Sequence, residues 1–146
     1  MNNQITIREA VTEADIEVFW AQLYAYYRRD ILPDLEDGDR EHFLSSKHRS
    51  HMQAVHDRPQ DWCRYLFFER SGTDIGFAMP VIFTSEDGKC FLAEFCVFPE
   101  FRGGGTGTQC AQGLSSLTVC CAPCDEGMYQ VLGFPVRLGA AFTHLT

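Results

Sequence analysis

The sequence has no run of about twenty apolar residues, the length that a membrane-spanning helix requires, so we expect no membrane span. Its first residues, Met1 to Gln4, lack the charged and then apolar order of a secretory signal peptide. Basic residues are also few, because 12 Lys and Arg stand against 20 Asp and Glu, for a formal net charge of -8. This balance argues against a nucleic-acid or anionic membrane partner and is compatible with an amine-bearing one. We therefore expect a cytoplasmic protein.

A lysine is absent from the glycine-rich stretch at residues 103–107, which excludes one class of nucleotide site. A mononucleotide P-loop ends in Gly-Lys-Ser/Thr, whereas Gly105 is followed by Thr106, Gly107 and Thr108. The stretch also lacks the third glycine of the dinucleotide-binding fingerprint. Neither common nucleotide motif explains these glycines.

Complete metal-ligand patterns are missing as well. Four of the seven cysteines lie in apolar or strand-like surroundings, where reduced thiols are expected: Cys63, Cys90, Cys96 and Cys110. Cys121 and Cys124 form a Cys-x-x-Cys pair, which leaves open a thiol redox site or half of a zinc site. Four histidines fall on one polar helical segment: His42, His48, His51 and His56. We expect these to be solvated, and we predict no metal site.

What the chain does have is ample material for one core. Its 146 residues suit a single domain, 1–146, and are too few for two ordinary ones. The hydrophobic share is 45% and includes 12 phenylalanines, which excludes global disorder.

Local patterns predict helices and strands in a definite order. In the first half we expect a strand at residues 4–8, a helix capped by Thr12, a loop at residues 30–39 and a helix at residues 40–57. Residues 64–70, 75–83 and 90–98 then read as three strands joined by turns, which is typical of an antiparallel meander. A helix at residues 106–117 follows the glycines.

The glycine turn at residues 103–107 favours an anion. Pro99 ends an almost continuously apolar strand, and the glycines remove the Cβ atoms that would keep a ligand from the backbone. The helix start beyond them leaves about four N–H groups without partners and carries roughly half a positive charge. The order strand, glycine turn, helix therefore predicts a site for a group such as a pyrophosphate, with a flexible surface loop as the alternative.

This stretch resembles the coenzyme A binding motif of the GNAT superfamily of acetyl-coenzyme A dependent N-acetyltransferases. Arg102, Gly105 and Gly107 occupy the fixed positions of its Arg/Gln-x-x-Gly-x-Gly/Ala pattern, after a strand at residues 94–97 and Pro99. The order of elements extends the resemblance to roughly residues 4–118. It implies an α/β (α+β) fold, in which helices flank a mixed, mostly antiparallel sheet.

The resemblance also implies an activity and a set of site residues. The expected reaction is transfer of acetyl from acetyl-coenzyme A to a primary amine of a small molecule or protein. The residues expected to hold the coenzyme are Cys96, Val97, Arg102, Gly103, Gly104, Gly105, Thr106 and Gly107. Tyr24, Tyr27 and Arg28, in the first helical region, are expected to border the acceptor site.

Two residues are candidates for the chemistry. Alternation places Glu94 on the strand face shared with Leu92, Cys96 and Phe98, where apolar neighbours should raise its pKa towards that of a useful base. A buried Glu94 paired for structure alone is the alternative. Tyr129 belongs to a Tyr-x-x-x-Gly-Phe string that resembles the family's signature, which implies a general acid for the departing thiolate.

The end of the chain, residues 114–146, departs from the family pattern. Residues 117–121 read as a strand, 125–132 as a short helix and 135–144 as a final irregular strand, so the usual closing strands are abbreviated. An unpaired sheet edge there would favour a homodimer. Two alternatives to an N-acetyltransferase remain: a non-catalytic acyl-coenzyme A binding or regulatory module, and a thiol redox protein that uses Cys121 and Cys124.

Overall fold

The computed structural model describes residues 4–83, 90–119, 128–131 and 134–137. The strands are β1 (Ile5–Glu9), β2 (Trp62–Cys63), β3 (Leu66–Arg70), β4 (Thr73–Ile82), β5 (Cys90–Val97), β6 (Met128–Val131) and β7 (Phe134–Arg137). The α-helices are α1 (Glu13–Tyr26), α2 (Asp37–Phe43), α3 (Ser46–Asp57) and α4 (Thr106–Val119). A π-helix spans Tyr27–Ile31, and 3-10 turns span Leu32–Asp34 and Pro99–Phe101.

The described strands form one mixed sheet. Its order is β1-β3-β4-β5-β6-β7, with β2 paired to β4 beside this path. All these pairs are antiparallel except that of β5 with β6, which is parallel. The predicted α/β architecture, a mostly antiparallel sheet flanked by helices, is therefore confirmed, and so is the meander of β3, β4 and β5.

Two hydrophobic cores cover the two faces of the sheet. Helix α1 packs on one face, and the aromatic side chains there include Phe19, Trp20, Tyr27, Tyr65, Phe67 and Phe77. Helix α4 packs on the other face, where the core includes Leu66, Phe68, Ile75, Leu92, Val97, Cys110 and Leu114. The sheet is thus buried on both sides, which explains the nearly continuous apolar character of β4 and β5. None of the described helices is long and apolar enough to cross a membrane.

The helix predicted at residues 40–57 is two helices, α2 and α3. The chain breaks between them because the hydroxyl of Ser45 accepts a hydrogen bond from the backbone N–H of His48, at 3.1 Å, and so caps the start of α3. The loop predicted at residues 30–39 is also more ordered than expected, since the π-helix and a 3-10 turn occupy its first half.

The closing segment differs from its predicted elements in two places. Helix α4 continues to Val119, through the first part of the strand predicted at residues 117–121. Within the segment predicted as a helix, Met128–Val131 is strand β6, because Tyr129 pairs with Val136 in an antiparallel ladder to β7. Cys121 and Cys124, the proposed thiol pair, lie outside the described residues.

Gly76 marks a close approach of β4 to β5, and we expect Gly76→Ala to lower the free energy of unfolding by about 3 kcal/mol. A Cβ atom there would lie 2.2 Å from the carbonyl oxygen of Cys96 and 3.1 Å from Cα of Val97, so two backbones would have to separate. Urea denaturation measures the change.

Gly113→Ala in α4 is the matched control, because its Cβ would lie 3.5 Å from Cδ1 of Ile7, an ordinary contact. That helical substitution should stabilise by about 1 kcal/mol. Equal stability of the two variants would contradict the prediction.

Candidate active site

A bulge in β5 determines which face of the sheet receives Glu94. Met79 of β4 pairs with Glu94, but the next residue, Pro80, pairs with Leu92, so Ala93 is an extra residue in the ladder. Such a bulge bends a strand and redirects the side chains on either side of it, often next to an active site. Glu94 consequently lies on the α1 face, where it contacts the π-helix.

Because of this extra residue, the prediction of which residues share a strand face with Glu94 is wrong at one position. Cys96 and Phe98 do share the α1 face with Glu94, as alternation predicted. Leu92 lies instead in the core beneath α4, because the bulge inverts the alternation between positions 92 and 94.

Glu94 is a buried carboxylate held by one neutral partner. Its side chain is 9% exposed, and the hydroxyl of Tyr27 donates a hydrogen bond to its Oε1 atom. Burial raises the pKa of Glu94 to about 7, and the hydrogen bond from Tyr27 opposes only part of that rise. The predicted rise in the pKa of Glu94 therefore agrees with its burial in the structure. An arginine partner of the kind that a structural ion pair requires is absent from its contacts in the described part of the chain.

Tyr27 connects Glu94 to a histidine. Its hydroxyl oxygen lies 3.3 Å from Nε2 of His48, a residue that was expected to be solvated. Burial lowers the pKa of the half-buried His48, and His42 and His51 lower it further. Burial and the charge of Glu94 raise the pKa of Tyr27 above its ordinary value, so its hydroxyl keeps its proton at neutral pH. Local periodicity could not reveal this contact, because the two residues belong to different helices.

The π-helix also holds the glycine turn. Asp30 accepts hydrogen bonds from Arg29 and, at 2.9 Å, from Nη2 of Arg102. Burial raises the pKa of Asp30, but these two guanidinium groups outweigh it and leave the pKa below its ordinary value. Nε of Arg102 also donates to the carbonyl oxygen of Val97 at 2.7 Å. The guanidinium of Arg102 therefore joins the turn to β5 and to the π-helix.

The glycine turn has a backbone that favours glycine strongly. Gly103, Gly104 and Gly105 have φ angles of +92°, +63° and +80°, which other residues rarely adopt. Among the described hydrogen bonds, the backbone N–H groups of Arg102 and Thr106 donate to Pro99 and Gly103. No backbone acceptor exists within the described residues for the N–H groups of Gly103, Gly104, Gly105, Gly107 and Thr108. This row of donors is the arrangement expected of an anion site.

A pocket of about 340 Å³ opens on this turn, and Arg70 lies in its wall. Nη2 of Arg70 donates to the hydroxyl of Thr106 at 3.2 Å, and that hydroxyl donates to the carbonyl oxygen of Gly103 at 2.9 Å. Arg70 ends strand β3, 36 residues before Thr106, and the resemblance gave it no role. The sequence signal that could have identified Arg70 is a basic residue at the end of a central strand. Arg70 adds a positive charge beside the glycine turn.

The residues predicted to border the acceptor are only partly brought together. Tyr27 contacts Glu94, and the ring of Tyr24 lies 6.5 Å from that of Tyr27. Arg28 is exposed, with its guanidinium 5.9 Å from the ring of Tyr24. Cys96 is buried beneath Arg29, whose Nη2 lies 3.7 Å from its sulfur, and burial raises the pKa of this thiol to about 11.

The edge of β5 beyond the bulge is the remaining feature of the site. Its parallel pairing with β6 covers only Phe91 and Leu92. Within the described residues, the part of β5 that carries Glu94 therefore has β4 on one edge and no paired strand on the other. Tyr129 lies in β6. Its role as an acid stays a prediction.

Among the described residues no three His, Cys, Asp or Glu side chains lie close enough to hold a metal ion. No family model and no curated protein matches the sequence. A solved structure does match: a GNAT family acetyltransferase from Brucella melitensis in complex with acetyl-CoA is 18% identical, with a TM-score of 0.52, over 90% of this chain and 77% of that chain. The chain therefore has a GNAT-type fold.

Proposed function

We propose that this protein transfers an acetyl group from acetyl-coenzyme A to a primary amine. The observation that carries the proposal is the placement of Glu94, a buried carboxylate with a pKa of about 7, on the strand that leads directly into the glycine turn. Strand β5 thus supplies a base for an ammonium group, and the turn that follows it supplies an anchor for an anionic carrier. The similar Brucella melitensis protein is seen with acetyl-CoA, which supports the choice of donor.

The glycine turn binds the pyrophosphate of the coenzyme in this proposal. The N–H groups of Gly103, Gly104, Gly105 and Gly107, which have no backbone acceptor among the described residues, donate to its oxygens, and the positive end of the α4 dipole favours its charge. Arg70 lies close enough to the turn to add an ion pair. Cys96 and Val97 line the edge of β5, where backbone groups can pair with the extended arm of the coenzyme.

Glu94 acts as the base. At pH 7 about half of its carboxyl groups are ionised, so it can accept the proton of an ammonium substrate and leave a neutral amine to attack the acetyl carbonyl carbon. The thioester bond then breaks, the departing thiolate takes a proton from Tyr129, and the proton that the attacking nitrogen loses on forming the amide returns Tyr129 to its neutral form. Tyr24, Tyr27 and Arg28 border the approach of the amine, and the net charge of -8 favours a cationic acceptor.

The test measures release of free coenzyme A thiol from acetyl-coenzyme A in the presence of a panel of primary amines. Turnover that depends on the amine supports the proposal. Calorimetric binding of acetyl-coenzyme A without any turnover would identify the non-catalytic binding module instead, and absence of binding would overturn both.

Tyr129→Phe tests the proposed acid, because it keeps the ring and removes only the hydroxyl. We expect kcat to fall by about 10²-fold, the lower range for a positioned general acid, while the affinity for acetyl-coenzyme A is unchanged. Steady-state kinetics and calorimetry measure the two quantities. A variant with the kcat of the unmodified protein would assign Tyr129 to packing.

A further inference from the structure

In the described part of the chain Glu94 is only 9% exposed, so the proton that it accepts has little direct access to bulk water. Its side chain is buried, and its hydrogen-bond partner in the described structure is the hydroxyl of Tyr27. During turnover the amine and the acetyl donor occupy the approach to the carboxylate. A base that must be ionised again before the next cycle therefore needs a path that leads away from the substrates.

Tyr27 is placed to pass a proton without becoming charged. Its hydroxyl contacts Oε1 of Glu94 on one side and lies 3.3 Å from Nε2 of His48 on the other. A hydroxyl can accept one proton as it gives up another, because it has both a donor and lone pairs. Tyr27 is itself buried, at 1% exposure, so this transfer takes place away from the protein surface.

His48 connects this buried pair to the surface. It is half-buried on α3, and its ring lies 5.2 Å from that of the exposed His42 on α2. Its lowered pKa keeps the imidazole neutral near pH 7, so that one ring nitrogen can accept a proton. The titratable groups that face His48 are Tyr27 from the π-helix, with Glu94 of β5 behind it, His42 from α2 and His51 from α3 itself.

We propose that Tyr27 and His48 form a proton-exit path for Glu94. The protonated carboxyl gives its proton to the oxygen of Tyr27 as the Tyr27 hydroxyl proton moves to Nε2 of His48, and the imidazolium then loses a proton to solvent. Glu94 is ionised again, and Tyr27 and His48 return to their neutral forms. The path rests on the proposed acetyltransferase function for its purpose, but its existence can be measured separately.

The kinetic test compares His48→Gln with His56→Gln. Glutamine at position 48 can still form a hydrogen bond to Tyr27 but cannot carry the proton. We expect kcat to fall about tenfold or more in His48→Gln, with the KM for acetyl-coenzyme A unchanged and with partial recovery on addition of imidazole. His56 lies on the same helix, contacts Asp57 and Tyr65, and makes no contact with Tyr27 or His48 in the described structure, so His56→Gln should leave kcat unchanged. Equal kcat values for the two variants, with no effect of imidazole, would overturn the proposal.

A second measurement needs no turnover. Nitrogen-15 shifts of the His48 ring should show two inflections with pH, one for His48 itself and one for ionisation of Glu94. Glu94→Gln should remove the second inflection, and Tyr27→Phe should weaken it. Identical His48 titrations in all three proteins would overturn the path. If His48 responds to Glu94 but no amine is acetylated, the acetyltransferase proposal fails and the path stands; if amines are acetylated and His48 does not respond, the path fails alone.

Discussion

Glu94→Gln is expected to lower kcat by about 10³-fold while the affinity for acetyl-coenzyme A changes little. The substitution keeps the shape of the side chain and its ability to accept a hydrogen bond from Tyr27, and it removes only the capacity to take a proton. Stopped assays of thiol release give kcat, and calorimetry gives the affinity. Glu41→Gln, on the exposed face of α2, is the matched control and should behave as the unmodified protein.

The same residue predicts the pH dependence of the reaction. Only the ionised carboxylate is a base, so kcat/KM should rise about tenfold per pH unit below pH 7 and become constant above it, in accord with a pKa of about 7. A pH profile without this inflection, together with a Glu94→Gln variant of full activity, would remove Glu94 from the mechanism.

The pKa of Glu94 also predicts a difference in stability between the unmodified protein and Glu94→Gln that changes with pH. The folded pKa, about 7, lies above the ordinary value of 4.5, so the folded state binds the proton more tightly than the unfolded state does. This contribution is complete below pH 4.5 and is lost as the pH rises through 7. Between pH 4.5 and pH 8 the free energy of unfolding of the unmodified protein should therefore fall by about 3 kcal/mol relative to that of Glu94→Gln. Urea denaturation at several pH values measures the difference.

Gly105→Val is expected to weaken acetyl-coenzyme A binding by about 100-fold or more. The φ angle of Gly105 is +80°, which a β-branched residue rarely adopts, so valine should turn the backbone and redirect the N–H groups of the turn. A hydrogen bond to a charged group contributes about 1.5–3 kcal/mol, so the loss of one or two such bonds accounts for the expected change. Isothermal calorimetry with acetyl-coenzyme A measures the affinity.

Gly38→Val is the control for this substitution. Gly38 lies in α2, has no positive φ and has no atom within 4 Å of the position of a new Cβ. It should leave the affinity for acetyl-coenzyme A unchanged. Unaltered binding by Gly105→Val as well would show that the glycine turn is not the anion site.

Features encoded in contiguous residues could be predicted from the sequence. The meander of β3, β4 and β5 follows from apolar runs separated by turn residues, and the glycine turn follows from its composition. The burial of Glu94 was also predictable, because it lies within a long apolar strand.

Features that depend on distant partners could not be predicted in this way. The bulge at Ala93 arises from the pairing of β5 with β4, and no local signal marks it. The contact of His48 with Tyr27 joins residues of two helices that lie 21 positions apart in the sequence. The segment that contains β6 was predicted as a short helix. Its pairing with β5 and β7, which joins residues distant in the sequence, decides its conformation instead.

The π-helix at Tyr27–Ile31 has a consequence for how this chain tolerates insertions and deletions. A π-helical turn contains one residue more than an α-helical turn, so it behaves as a single-residue insertion into the end of α1. Tyr27 reaches Glu94 from this turn, and Asp30 reaches Arg102 from the same turn. Loss of one residue here, even the exposed Arg28, would rotate the two side chains relative to each other and break both contacts together. The length of this short segment, more than the identity of its exposed residues, is therefore what keeps Glu94 and the glycine turn aligned.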